Sequence, residues 1–330
     1  MDTMNVITLF LFNIVLCNIP LLYGTVGEIL TEKAGSLNLG VEGTMAVGAI
    51  FGYLAGCAAN SILVGLAVSF LTAGLCGLLF ALLTVSLQAN QNVTGLTITT
   101  FGLGLYFFVG KGIGERWPAM TAADSLVKGY SALEIPGLSK LPVIGKVLFS
   151  HNMLVYLGVV IAVLVWWYLG FTKTGLRLRA VGENPAAADS VGVNTLLYKY
   201  VHLIAGSGIM GLGGFYMALY MSGSFEGSNC WINGYGWIAI ALVIFANWSP
   251  VLAILGTLVF GFFNTLQIYA GPLAGAFPGA LGWLNAIPPQ LYKALPFLIT
   301  AIVLVASSVR KRESSGQPAA LGLNYFREER

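Results

Sequence analysis

Two long runs of the chain, Gly43 to Gly110 and Gly227 to Tyr292, carry no Asp, Glu, Lys or Arg. Each is too long for one buried helix. A membrane-crossing helix needs ~20 apolar residues, so each run holds several consecutive passes separated by short polar turns. Hydrophobic continuity predicts nine spans, at Met4–Tyr23, Leu39–Ala58, Ile62–Leu87, Val93–Gly110, Met153–Phe171, Val201–Met221, Tyr235–Ala246, Val251–Ala270 and Leu291–Ser308. The fold expected is an all-α polytopic transmembrane helix bundle. Residues 1–308 form the membrane domain, with an outer loop at 112–151 and an inner loop at 172–198, and residues 309–330 form a tail.

Small residues recur at helix-packing intervals inside these spans. Gly48, Gly52 and Gly56 lie four apart in the second, and Ser207, Gly211, Gly214 and Ala218 follow a four-three-four spacing in the sixth. Each set makes a smooth face on which another helix can approach closely, as dispersion between membrane helices requires. Polar residues also share faces. Thr257, Gly261, Asn264 and Gln267 align on the eighth span, and Thr94, Thr97 and Thr100 on the fourth. An unsatisfied polar group in hydrocarbon costs several kcal/mol, so these faces meet other protein or a wet path. Thr97, Thr100, Asn264 and Gln267 are the candidate pathway residues, and their neutral groups suit a neutral polar solute. Two glycine-rich stretches, Ala34–Gly43 and Gly234–Trp237, are candidates for a helix break or a simple interfacial turn.

Composition agrees: 57% of residues are hydrophobic, 9% charged, and the mean hydropathy is +0.83. A soluble domain carries about 25% charged residues. The net charge of +3 gives nucleic acid little to hold. Lys173, Arg177, Arg179 and Lys199 surround one loop, and Arg310, Lys311 and Arg312 follow the last span. The positive-inside rule makes both regions cytoplasmic and the N-terminus external. Asp2 stands where a secretory signal would carry a basic residue, so the first span is read as retained. Cys17, Cys57, Cys76 and Cys230 have no metal spacing, and His151 and His202 have no ligand partner near them. No cofactor or metal is expected. No HExxH motif occurs, and no paired carboxylate is expected at depth, which argues against a membrane enzyme.

The inner loop carries the sharpest local signal. Asn184 suits an N-cap, Pro185 the first helical position, Ala186, Ala187 and Ala188 its continuation, and Gly192 its end. Glu183 and the two arginines flank this short helix. Its Ala-Ala-Ala-x-x-x-Gly pattern resembles the loop by which bacterial ABC permeases dock their ATPases, with Ala186 in place of a glutamate. Taken with Glu32-Lys-Ala-Gly-Ser-Leu-Asn-Leu-Gly-Val-Glu-Gly43, Ala89-Asn-Gln-Asn-Val-Thr-Gly95 and the tail Leu321-Gly-Leu-Asn-Tyr-Phe-Arg-Glu-Glu-Arg330, the chain resembles the permease subunits of nucleoside and simple-sugar ABC importers. These are related to ribose and branched-chain amino-acid permeases.

The resemblance implies a type II importer in a bacterial plasma membrane. Its partners would be a second, different permease, a cytoplasmic ATPase and an external substrate-binding lipoprotein. It also implies that Glu183, Asn184, Pro185, Ala186, Ala187, Ala188 and Gly192 form the ATPase contact, and that hydrolysis belongs to the partner. A facilitator or channel for small neutral solutes is the alternative; it would transport without an ATPase.

Overall fold

The computed structural model describes residues 3–116, 143–221, 234–309 and 316–326, with isolated residues 126, 132, 133, 139, 230 and 232 between them. Every described regular element is helical. The long helices are α1 (Thr3–Lys33), α2 (Val41–Ala59), α3 (Ile62–Ala81) and α4 (Gln91–Arg116). After a short α5 (Ile144–Phe149) come α6 (Met153–Phe171), α7 (Lys173–Glu183), α8 (Pro185–Ser190) and α9 (Thr195–Tyr216). The chain continues through α10 (Tyr235–Phe245), α11 (Pro250–Ala276), α12 (Pro278–Leu281) and α13 (Pro289–Val309). Single π-helical turns extend α3 over Leu82–Ser86 and α9 over Met217–Met221.

All nine expected spans fall on helices, but their lengths differ. Seven helices among the described residues are long and apolar enough to cross a membrane. At 1.5 Å per residue, the 11 residues of α10 reach roughly 16 Å, about half of a hydrocarbon core near 30 Å. The outer faces fit lipid: Val160, Leu164 and Trp167 on α6 and Leu255, Val259 and Phe262 on α11 are exposed.

Each small-residue face takes a closely approaching helix, as the spacing predicts, and the structure shows that the two faces meet each other. A Cβ on Gly48 would lie 2.4 Å from Gly211 Cα, and one on Gly214 would lie 1.9 Å from the Met45 carbonyl oxygen. No side chain fits there. α2 and α9 therefore touch backbone to backbone, and α3 closes over the same seam through Ser69 and Ala73, which abut Gly211. α1 packs along α9 and α11 and carries Pro20 in its interior. Proline has no N–H for the carbonyl four residues back; the Tyr216 hydroxyl donates to that Leu16 oxygen at 2.9 Å.

The first helix departs most from expectation. It runs ten residues past Tyr23 to Lys33, and Glu28 and Glu32 are buried within the bundle, as is Glu42 at the start of α2. The expectation that no carboxylate pair lies at depth is thus corrected. Each acid has donors. Glu28 accepts from the Asn38 N–H at 3.1 Å and the Thr31 hydroxyl at 2.9 Å, and Glu32 accepts from the Trp248 indole N–H. Glu42 accepts from Gly234 N–H at 3.0 Å, at the first turn of α10. Thr31 and Asn38 are local to Glu28, whereas Trp248 and Gly234 reach Glu32 and Glu42 from far along the chain, and these hydrogen bonds are what make the burial tolerable. The first glycine-rich stretch separates α1 from α2 and Gly234 opens α10, and Glu28 and Glu42 take up the backbone N–H groups of Asn38 and Gly234 within the two stretches.

Two ends of the bundle can be told apart. The tail residues Gly316–Phe326 lie against the C-terminal end of α1, the α3–α4 turn, the α7–α8 turn and the α10–α11 turn, through Lys33, Gln88, Glu183 and Asn247. At the other end, the His151 ring stacks on Phe12 at 4.4 Å and its Nε2 donates to the Val147 carbonyl at 2.7 Å. Most of the 112–151 loop lies outside the described residues.

Candidate functional site

The inner loop folds as its capping residues dictate. Thr172 caps α7 by accepting from Gly175 N–H at 3.0 Å, and α7 buries Leu178 and Val181 while Arg177 and Arg179 stay exposed. Asn184 breaks the helix with φ −150° and ψ 93°. Its carboxamide oxygen accepts from Ala187 N–H at 3.0 Å, and Pro185 occupies the first position of α8.

α8 stops on Gly192, whose φ of +82° lies in the left-handed region. Val193 N–H reaches back to the Ala188 carbonyl at 3.0 Å, closing a Schellman turn. Asn194 then caps α9 through Leu197 N–H at 3.0 Å. Three asparagine or threonine caps in 23 residues fix this loop locally. Ala188 anchors α8 from below, while Ala186 and Ala187 point outward. The result is a rigid, shallow knob of small side chains that a groove of another protein can enclose.

Sequence reasoning missed what holds the knob. The tail was expected to be a simple extension; instead it is strapped across the face that carries α8. Ala319 N–H donates to the Glu183 carboxylate at 3.1 Å, Ala320 N–H to the Gly182 carbonyl at 3.0 Å, and the Tyr325 hydroxyl to Asp189 at 3.0 Å. The same strap bonds the Lys33 ammonium through the Gly316 carbonyl at 2.6 Å, and Asn324 joins it to Gln88, Ala89 and Gln91. The available signal was slight: Gly316–Asn324 is glycine-punctuated and mostly apolar, unlike a solvated tail, and Asn324 is one side chain in it able to bond backbone.

The four pathway candidates do not form one cluster. Thr97 and Thr100 are exposed on α4, and their hydroxyls donate to their own helix, to Val93 and Leu96. Asn264 joins three helices: its amide donates to the Asn18 carboxamide oxygen at 3.0 Å and to the Tyr235 hydroxyl at 3.3 Å. Asn18 donates in turn to the Ile14 carbonyl and the Thr265 hydroxyl. Gln267, half-buried one turn along, has no hydrogen-bond partner among the described residues. His202 bridges Tyr198 and Tyr168, and no group of metal-binding side chains occurs among the described residues.

Comparison with known proteins defines the class. Residues 10–305 match the family described as branched-chain amino acid transport system / permease component, and the chain belongs to that family. It is a permease subunit of an ABC importer. It is 31% identical to the nucleoside ABC transporter permease protein NupC of Lactococcus lactis, over 99% of each chain. It is 32% identical to the putative glucose ABC transporter permease protein TsgC13 of Haloferax volcanii, over 93% of this chain and 94% of that one. The guanosine ABC transporter permease protein NupQ of Bacillus subtilis is 30% identical over the full length of both. No solved structure matches the chain.

Proposed function

We propose that the chain moves nucleosides, or sugar-like solutes related to them, across a bacterial plasma membrane by alternating access driven by separate ATPase subunits. Full-length likeness to permeases named for nucleosides, guanosine and glucose supports this substrate class. The partners are a second permease of related sequence, two ATPase sites and an external binding lipoprotein. The chain itself is non-catalytic. The observation that carries the mechanism is α8, a knob capped by Asn184, closed at Gly192 and tied by one strap to α1, α3 and α10. A push on such a knob reaches four turns of the bundle through hydrogen bonds, so ATP-driven closure of the partner is converted into helix movement.

In this reading α8 and the tail are cytoplasmic, the N-terminus is external, and residues 112–151 receive the binding protein. Ala187→Trp tests the docking role. Ala187 is exposed, so the larger side chain costs the isolated subunit little. The ATPase should fail to co-purify while the permease stays in the membrane; an intact, active complex would remove α8 from the contact.

A further inference from the structure

A cavity of ≈ 610 Å³ opens beside α8 and is lined by Ser86, Asp189, Asn194, Thr195, Lys199 and Tyr325 among others. Lys199 is the unusual member. Its side chain is 95% removed from solvent, yet among the described residues it has neither an ion pair nor a hydrogen bond. Asp189, an acid that also lines the cavity, is engaged by the Tyr325 hydroxyl. Lys199 lines the cavity with its charge uncompensated by the described residues, so an anion entering that space would supply its missing counter-charge.

The second feature is independent of the lysine. Thr195 and Leu196, the first residues of the 22-residue α9, also line the cavity. Asn194 satisfies the N–H groups of Leu197 and Tyr198, but those of Thr195 and Leu196 have no partner among the described residues. A helix start with free N–H groups favours negative charge. An ammonium and a helix N-terminus converging on one space present several donors to an anion with several oxygens, which suits phosphate better than a lone carboxylate. The volume leaves room beyond a phosphate for an organic group, against which Tyr325 supplies a wall.

We propose that this cavity binds the phosphate group of a small phosphorylated molecule, with Lys199 as its counter-charge and the first turn of α9 as its donor edge. The phosphate comes from a soluble nucleotide or from the headgroup of an anionic phospholipid. Asp189 and Gly192 belong to α8 and its terminal turn, and Tyr325 to the strap. An occupant therefore touches both parts of the coupling surface, and its binding biases the position of α8.

The assembled transporter in phosphatidylcholine nanodiscs provides the test, with radiolabelled adenosine monophosphate as one probe and added phosphatidylglycerol as the other. Lys199→Met and Lys199→Arg are compared with wild type; nucleotide held by the ATPase subunits is common to all three and cancels. A soluble source predicts saturable binding that falls about tenfold or more in Lys199→Met, persists in Lys199→Arg and is not displaced by adenosine. A lipid source predicts no such binding, and a rise in thermal midpoint with phosphatidylglycerol in wild type and Lys199→Arg but not in Lys199→Met. Either result supports the phosphate site.

In phosphatidylcholine alone, Lys199→Met should be as stable as wild type or more so, since it removes an unpaired buried charge. A fall in its midpoint makes Lys199 structural and overturns the proposal. So do identical responses of wild type and Lys199→Met to both probes, or a zero-length carbodiimide cross-link from Lys199 to an ATPase carboxylate.

Discussion

The Tyr325 hydroxyl donates to the Asp189 carboxylate at 3.0 Å, fastening the tail to the last turn of the helix that the ATPase is proposed to grip. A hydrogen bond to a charged acceptor is worth about 1.5–3 kcal/mol net. Tyr325→Phe keeps the ring and deletes the bond. Uptake per ATP hydrolysed should fall several-fold in proteoliposomes while the subunit remains inserted. Unchanged coupling would mean that the strap holds shape and transmits nothing.

The Glu32–Trp248 contact joins the C-terminal end of α1 to the turn between α10 and α11. Trp248→Phe takes one hydrogen-bond donor from a buried carboxyl group and should destabilise the subunit by about 1–3 kcal/mol. Glu32→Leu in the same chain removes the orphaned acceptor and should recover part of the loss. Thermal midpoints of the two single variants and the double variant in detergent measure the coupling; strict additivity would mean that the two side chains act separately.

Packing of α2 against α9 leaves no room at its closest points. Gly214→Val should abolish accumulation of folded subunit, because even a Cβ meets the Met45 carbonyl at 1.9 Å. Gly104→Ala, at a position with nothing within 4 Å of the added atom, is the control and should accumulate normally. Equal membrane levels of the two would show that the seam is not close-packed.

Asn264 and Gln267 separate two roles that look alike on one helix face. Asn264→Leu breaks bonds to Asn18 and Tyr235 and should cost about 0.6–2 kcal/mol of stability, the range of interhelical bonds in membranes. Gln267→Leu breaks none among the described residues; it should leave stability alone and slow uptake if its amide meets solute. Normal uptake by Gln267→Leu would remove that residue from the pathway.

The parts of this structure set by local rules were legible in the chain. Span positions follow from the absence of charge, the α2–α9 seam from Gly48, Gly211 and Gly214, and α8 from Asn184, Pro185 and Gly192. What escaped depends on partners distant in sequence. Glu28 and Glu32 lie beyond the first expected span, which ends at Tyr23, and the Trp248 donor that keeps Glu32 buried cannot be paired with it from spacing. The strap escaped for the same reason: Ala319 and Tyr325 find Glu183 and Asp189 across 136 residues. Thr97 and Thr100 share a face with Thr94, yet periodicity could not tell that their hydroxyls close onto their own helix.

As proposed, the chain is one half of an ATP-driven nucleoside path whose power enters through α8. The most direct measurement is uptake of radiolabelled guanosine into proteoliposomes containing this subunit, its partner permease, the ATPase and the binding protein, with and without internal ATP. Uptake should require ATP and the binding protein, and it should disappear in Ala187→Trp vesicles that contain the same amount of permease. Guanosine entry by this subunit alone, independent of ATP and unaffected by Ala187→Trp, would contradict the account and identify a facilitator.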